Sequence, residues 1–111
     1  VNDNTFGPTM MFGLGGIFVE VLKDVTFRVA PVTSGQAARM LGEIRGAPIL
    51  SGVRGEAPRD RKAMAETICK YSAMILDLRD EISESDANPV LVYEEGKGIK
   101  VVDARVILKK K

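Results

Sequence analysis

The apolar positions of this chain fall into short β-type runs at both ends and two helical stripes between them. Thr9 to Leu14, with Met10, Met11 and Phe12, reads as a first strand; Gly13-Leu14-Gly15-Gly16 breaks it and leads into Ile17 to Leu22. Lys23-Asp24 makes a two-residue turn into Val25 to Ala30, and Pro31 stops that run. These three runs predict an antiparallel meander, preceded by a polar, extended lead-in over Val1 to Thr5. Thr33-Ser34-Gly35-Gln36 is a capping box, and behind it Ala37, Ala38, Met40, Leu41 and Ile44 recur at helical spacing, with Arg45 in the last turn and Gly46 as the stop. Asp60 caps a longer helix over Arg61 to Arg79. There Met64, Ile68, Tyr71, Ile75 and Leu78 form one apolar row, and Ala65, Cys69, Ser72 and Leu76 a second. The β-branched runs Val90 to Tyr93 and Ile99 to Leu108, separated by Glu94-Glu95-Gly96-Lys97-Gly98, predict a hairpin. The expected fold is α+β: an antiparallel sheet of about five strands with two helices packed on one face.

Length and composition narrow the classes. A chain of 111 residues supports one modest core, and 45% apolar with 28% charged residues is a globular composition. A net charge of +1 gives no reason to expect a nucleic acid or an anionic membrane as partner. No apolar run reaches the length of a membrane span, and nothing at the start resembles a signal peptide. The single cysteine, Cys69, cannot form an internal disulfide, which suits a reducing, cytoplasmic setting, and its place in a helical stripe reads as packing. With no histidine, a Ser-His-Asp or Cys-His arrangement and any His-ligated metal within the chain are excluded. The sequence lacks an initiator Met and enters directly at a motif-like stretch, so the expectation is a fragment of something longer.

The chemistry concentrates in the predicted hairpin. Asp86 and Asn88 are two apart on an extended segment and leave the same face; with the strands paired, Asp103 comes near it. Three oxygen-bearing side chains would then converge where a hard cation such as Mg²⁺ sits, keeping waters and reaching for phosphate. Asp and Asn before Pro89 are also ordinary turn formers, so both readings stand. The run Phe12-Gly-Leu-Gly-Gly is neither a Rossmann nor a Walker pattern, and glycines permitting a tight strand connection explain it better than a phosphate loop. Glu20 interrupts an apolar strand: it sits on the solvent face or pairs with Arg28 across a hairpin, or else it faces a nucleotide cleft. Arg54, between Gly52 and Gly55 in the connector Ala47 to Pro58, either clamps nearby carbonyls and carboxylates or presents its guanidinium to phosphate or a partner subunit.

Asp86-Ala87-Asn88-Pro89-Val90-Leu91-Val92 with the later Val101-Val102-Asp103 resembles the acidic-x-Asn-Pro-Leu plus Asp signature of ATP-grasp subunits. Phe6-Gly-Pro, Phe12 to Asp24, Phe27-Arg-Val-Ala-Pro, Gly52 to Asp60 and Val102-Asp-Ala-Arg-Val-Ile-Leu extend the likeness to nearly the whole chain. The group they resemble is the β subunit of ADP-forming acetyl-CoA synthetases, related to succinyl-CoA synthetase. The resemblance implies the C-terminal part of an ATP-grasp domain over residues 1–111, with Asn88 and Asp103 as Mg²⁺ ligands on the phosphates of ATP or ADP and Asp86 at the motif's acidic position. It implies coupling of acyl-CoA thioester cleavage to ATP formation through a phosphohistidine. That residue must lie outside this histidine-free chain, either elsewhere in the parent protein or on a CoA-binding α subunit in a hetero-oligomer. No catalytic residue is assigned to the chain, and the fragment alone is expected to be inactive. Ser85 and Ala87 stand where the family usually has Leu and Ile, a loss of roughly 1–3 kcal/mol each if those positions are buried. The alternative is a non-catalytic, regulatory ATP-grasp-like module, for example one fused to a protein acetyltransferase; a third reading is a structural domain whose polar cluster binds nothing.

Overall fold

The computed structural model describes residues 2–3, 7–15, 21–52 and 55–110. In chain order the elements are β1 (Asn2–Asp3), β2 (Gly7–Gly13), β3 (Val25–Val29), α1 (Ser34–Glu43), a 3-10 turn (Ala47–Ser51), α2 (Arg61–Asp77), β4 (Ile82–Ala87), β5 (Val90–Val92), β6 (Ile99–Val101) and β7 (Ala104–Leu108). Among the described residues the α+β reading, with two helices and antiparallel strands, holds. Hydrogen bonds group the described strands as a three-stranded sheet, β1-β2-β3, and two antiparallel pairs, β4-β7 and β5-β6.

The first sheet departs from the expected meander. β2 pairs directly with β3, Met10 opposite Arg28 and Phe12 opposite Thr26, and the outer strand is the lead-in: Asn2 pairs with Pro8 and Asp3 with Gly7. Of the expected middle strand, Val21 and Leu22 form a turn and are exposed, while residues 17–20, Glu20 among them, lie outside the described residues. Nor does Lys23-Asp24 act as a hairpin turn, because Asp24 is held by the end of α1 instead. Its buried carboxylate accepts from the backbone N–H of Arg45 (2.6 Å) and of Gly46 (2.8 Å), and Arg45 donates back to the Leu22 carbonyl (2.8 Å).

The capping box forms as read: Thr33 Oγ1 accepts from Gln36 N at 3.1 Å, and Gln36 Oε1 accepts from Thr33 N at 3.0 Å. Ala37, Met40 and Leu41 bury the face of α1 that meets Leu50 and, on α2, Met64, Ala65 and Ile68. Ala38 does not join them and is exposed, its position rotating it past the edge of the stripe. Met10, Phe12 and Leu14, and from the C-terminal strands Val90, Val92 and Ile99, pack against this core and are partly buried. The helix α2 ends at Asp77, just short of the last apolar residue in its rows, and leaves Leu78 exposed. Ser72 is fully buried at no polar cost, since its hydroxyl accepts from Val32 N (2.9 Å) and donates to the Cys69 carbonyl (2.8 Å).

Candidate functional site

The hairpin forms, and it is one ribbon rather than two short pairs. Glu84 to Ala87 oppose Ile107 to Ala104, and Val90 to Val92 oppose Val101 to Ile99, in the same register. Between them Asn88 N donates to the Asp103 carbonyl (3.0 Å) and Val102 N to the Pro89 carbonyl (3.0 Å), which carries the register across the break. Pro89 has no N–H to give the ladder, so the regular pairing lapses there. The reversal is tight: Tyr93 N donates to the Gly98 carbonyl (3.0 Å), Lys97 N to the Glu94 carbonyl (2.9 Å), and Gly96 and Gly98 take the positive φ that the turn demands.

That register sets the site. Asn88 lies directly opposite Asp103, and Asp86 directly opposite Arg105, on one face of the ribbon. Asn88 and Asp103 are both exposed. Asp103 Oδ1 accepts from Ala104 N at 2.9 Å, which orients the carboxylate. The glycine-rich connector comes alongside, for a Cβ built on Gly15 would sit 4.0 Å from Asn88 Oδ1. Asp86 goes a different way from the expected three-oxygen cluster, its Oδ2 lying 3.2 Å from the Arg105 guanidinium, which also stands 3.9 Å from Glu84. Among the described residues no group of three or more Cys, Asp and Glu side chains is placed to hold a metal. A single carboxylate with a carboxamide oxygen still fits Mg²⁺, which takes one or two protein ligands and fills its octahedron with water and phosphate.

Arg54, like Glu20, lies outside the described residues. Arg28 pairs with Glu43 on α1. The Arg28 guanidinium, followed by the Thr26 hydroxyl (2.6 Å), holds the Glu43 carboxyl below its ordinary range. The opposite face of the ribbon carries Ser85 and Ala87, both half-buried, with the Ser85 hydroxyl bonded to that of Tyr71 on α2. A hydroxyl partner therefore offsets part of the burial lost by having Ser where Leu is usual.

Asp60, legible in the sequence only as a helix cap, has a second role. It is buried, and besides capping Ala63 N (3.0 Å) it accepts from Gly98 N in the ribbon's turn (2.7 Å), while its own N–H donates to the Tyr93 carbonyl (2.7 Å). The N–H groups of Ala63 and then Gly98 hold its carboxyl below the usual carboxylate range, against burial. No local signal marks that second role. Arg105 also escapes a reading of motifs alone, yet counting back from the turn pairs it with Asp86.

The comparisons with known proteins converge. The ATP-grasp domain family matches residues 1–108. The acetate–CoA ligase [ADP-forming] II subunit beta of Pyrococcus furiosus is 55% identical over 107 residues, covering 96% of this chain and 45% of that subunit. A crystal structure of a Pyrococcus horikoshii protein superposes with a TM-score of 0.92 at 51% identity, covering 99% of this chain and 46% of that one. A dinucleotide forming acetyl-coenzyme A synthetase 1 from Ca. Korarchaeum cryptofilum superposes with a TM-score of 0.89 at 46% identity, covering 98% of this chain and 50% of its own. It was solved with coenzyme A and Mg-AMPPCP, its phosphohistidine segment pointing towards the nucleotide-binding site. The chain thus spans about half the length of these relatives.

Proposed function

The chain belongs to the ATP-grasp family, and from that premise we propose that it is the C-terminal part of the nucleotide-binding domain of an ADP-forming acyl-CoA synthetase, with Asn88 and Asp103 holding the Mg²⁺ of bound ATP or ADP. The observation that carries this reading is the register of the ribbon, which sets a carboxamide and a carboxylate directly opposite one another on an exposed face. Its support from relatives is the Mg-AMPPCP complex of the Korarchaeum synthetase.

Magnesium, when bound, would neutralise charge on the β- and γ-phosphates as the phosphoryl group moves. The chain's residues do the positioning. Asp103 offers its second oxygen, because Oδ1 is already committed to Ala104 N. Asn88 adds a neutral oxygen, which limits repulsion of the incoming nucleotide. Gly15 leaves open the space beside Asn88 that a side chain would occupy. The face is open on the solvent side, so the remaining walls of a nucleotide cleft come from other parts of the protein.

With no histidine in the chain, the phosphohistidine relay lies outside it, on another segment or on a CoA-binding α subunit. That partner, the acyl-CoA and phosphate substrates and a reducing, cytoplasmic setting complete the proposal. No helix among the described residues is long and apolar enough to cross a membrane. The test is calorimetry of Mg-ADP binding to the full-length protein and to its Asn88→Ala and Asp103→Ala variants. Loss in both, with an unchanged melting temperature, is the expected result; wild-type affinity in both overturns the site.

A further inference from the structure

Arg105 is the cation paired on the ribbon face that carries Asn88 and Asp103. It stands two residues from Asp103 along its own strand and opposite Asp86, which is two residues from Asn88. Residues two apart on a strand share a face and lie about 7 Å apart along it. The guanidinium rests between Asp86 and Glu84, and the flexible Arg side chain is long enough to swing back along the face to the space in front of both candidate metal ligands.

We propose that Arg105 is a phosphate-binding residue of this site, its guanidinium passing from Asp86 to the oxygens of the terminal phosphate of a bound nucleoside diphosphate or triphosphate. The inference rests on the metal reading above and extends it to a residue without an assigned role. Three features of the pair favour the exchange. Arg105 and Asp86 are both well exposed, with side-chain exposures of 66% and 51%, and an ion pair in such a setting contributes little, so releasing it costs little. The planar fork of Arg matches a phosphate in two parallel hydrogen bonds, which a carboxylate 3.2 Å from one terminal nitrogen and another 3.9 Å away do not exploit fully. Charge on the face supplies the third. Glu84, Asp86 and Asp103 are acidic and Arg105 is the cation among them, so without it the face would draw Mg²⁺ but repel a polyphosphate. Asp86 then serves as the resting partner that keeps the guanidinium extended along the ribbon, a better account of its place than direct metal ligation.

The experiment is calorimetry on the full-length protein with Mg-ADP and, separately, with AMP, using Arg105→Ala, Arg105→Lys, Asn88→Ala and Asp103→Ala. Thermal melts check that each variant folds. Arg105→Ala should weaken Mg-ADP about tenfold or more and leave AMP unchanged, since AMP lacks the terminal phosphate. Arg105→Lys should recover only part of the loss, because it restores charge but not the fork. If Arg105→Ala binds Mg-ADP like the wild type while Asn88→Ala and Asp103→Ala do not, Arg105 is a surface ion pair and this inference is wrong, though the metal reading stands. Should Arg105→Ala lose affinity while the other two variants keep theirs, the phosphate role holds and the metal assignment falls. A wild-type protein that binds no Mg-ADP overturns both.

Discussion

The packed half of the molecule and the ribbon solve opposite problems. In the first, α1, α2 and the β2-β3 sheet bury Met40, Leu41 and Ala37 almost completely. In the second, residues 101–110 are all exposed, and Val102 and Leu108 keep half or more of their surface in solvent. The core derives its stability from apolar burial. The ribbon lays one inner row, Val90, Val92 and Ile99, against that core and otherwise holds its shape through backbone pairing and a few anchors, Asp60 at the turn and Tyr71 with Ser85 on β4. Such a division leaves a hairpin face free for polar groups that a core would reject. It also separates function from stability: side chains on the exposed face can change with little effect on folding, whereas the anchors beneath it cannot.

The largest losses of stability are expected in the core. Met40→Ala should cost about 2–5 kcal/mol in denaturant unfolding, because the side chain is fully buried between both helices. Gly52→Ala should follow. A Cβ there would lie 2.4 Å from the Glu56 carbonyl oxygen on a backbone at φ +88°, and relief requires moving main chain; a loss of roughly 1–3 kcal/mol is expected in the same assay.

The anchors should give intermediate effects. Asp60→Ala should speed hydrogen exchange at Gly98 and lower the melting temperature. The pH dependence has a definite sign: the Asp60 carboxyl is depressed in the folded state, so its contribution is complete above the ordinary carboxylate range near pH ~4 and is lost as pH falls through the folded value. Asp60→Asn should therefore flatten the acid limb of a stability-against-pH curve; an unchanged limb would show that Asp60 does not report on folding. Tyr71→Phe removes one side-chain hydrogen bond and should cost about 0.5–1.5 kcal/mol by chemical denaturation. At the bottom of the scale, Val106→Thr on the exposed end of the ribbon should shift stability by less than about 0.5 kcal/mol.

Much of the candidate site is legible in the order of the residues. Asp86, Asn88 and Asp103 stand in a motif, and the glycines of the turn fix which residues oppose which: once Tyr93 pairs with Gly98, Asn88 must meet Asp103. The same count places Arg105 opposite Asp86, where the two side chains pair. The first sheet is harder to read. Of the apolar run Ile17 to Leu22, which suggests a strand, the described residues Val21 and Leu22 form a turn; Asp24 is drawn to the end of α1, and the lead-in takes the outer place beside β2. The expected apolar stripe of α1 includes Ala38, whose methyl is small enough to sit on either side of the boundary.

The features readable from residue order have causes that lie within a few residues. These are the capping box at Thr33 to Gln36, the N-cap at Asp60, the helical stripes, the Gly96 and Gly98 turn and the hairpin register that follows from it. The tertiary structure decided the partners across long separations: Asp24 with the end of α1, Arg28 with Glu43, Tyr71 with Ser85, and Asp60 with Gly98, thirty-eight residues away. Reach separates the two sets. Periodicity and capping act through hydrogen bonds and side-chain rows three or four residues apart, whereas the partner of a buried carboxylate depends on which element the core packs against it.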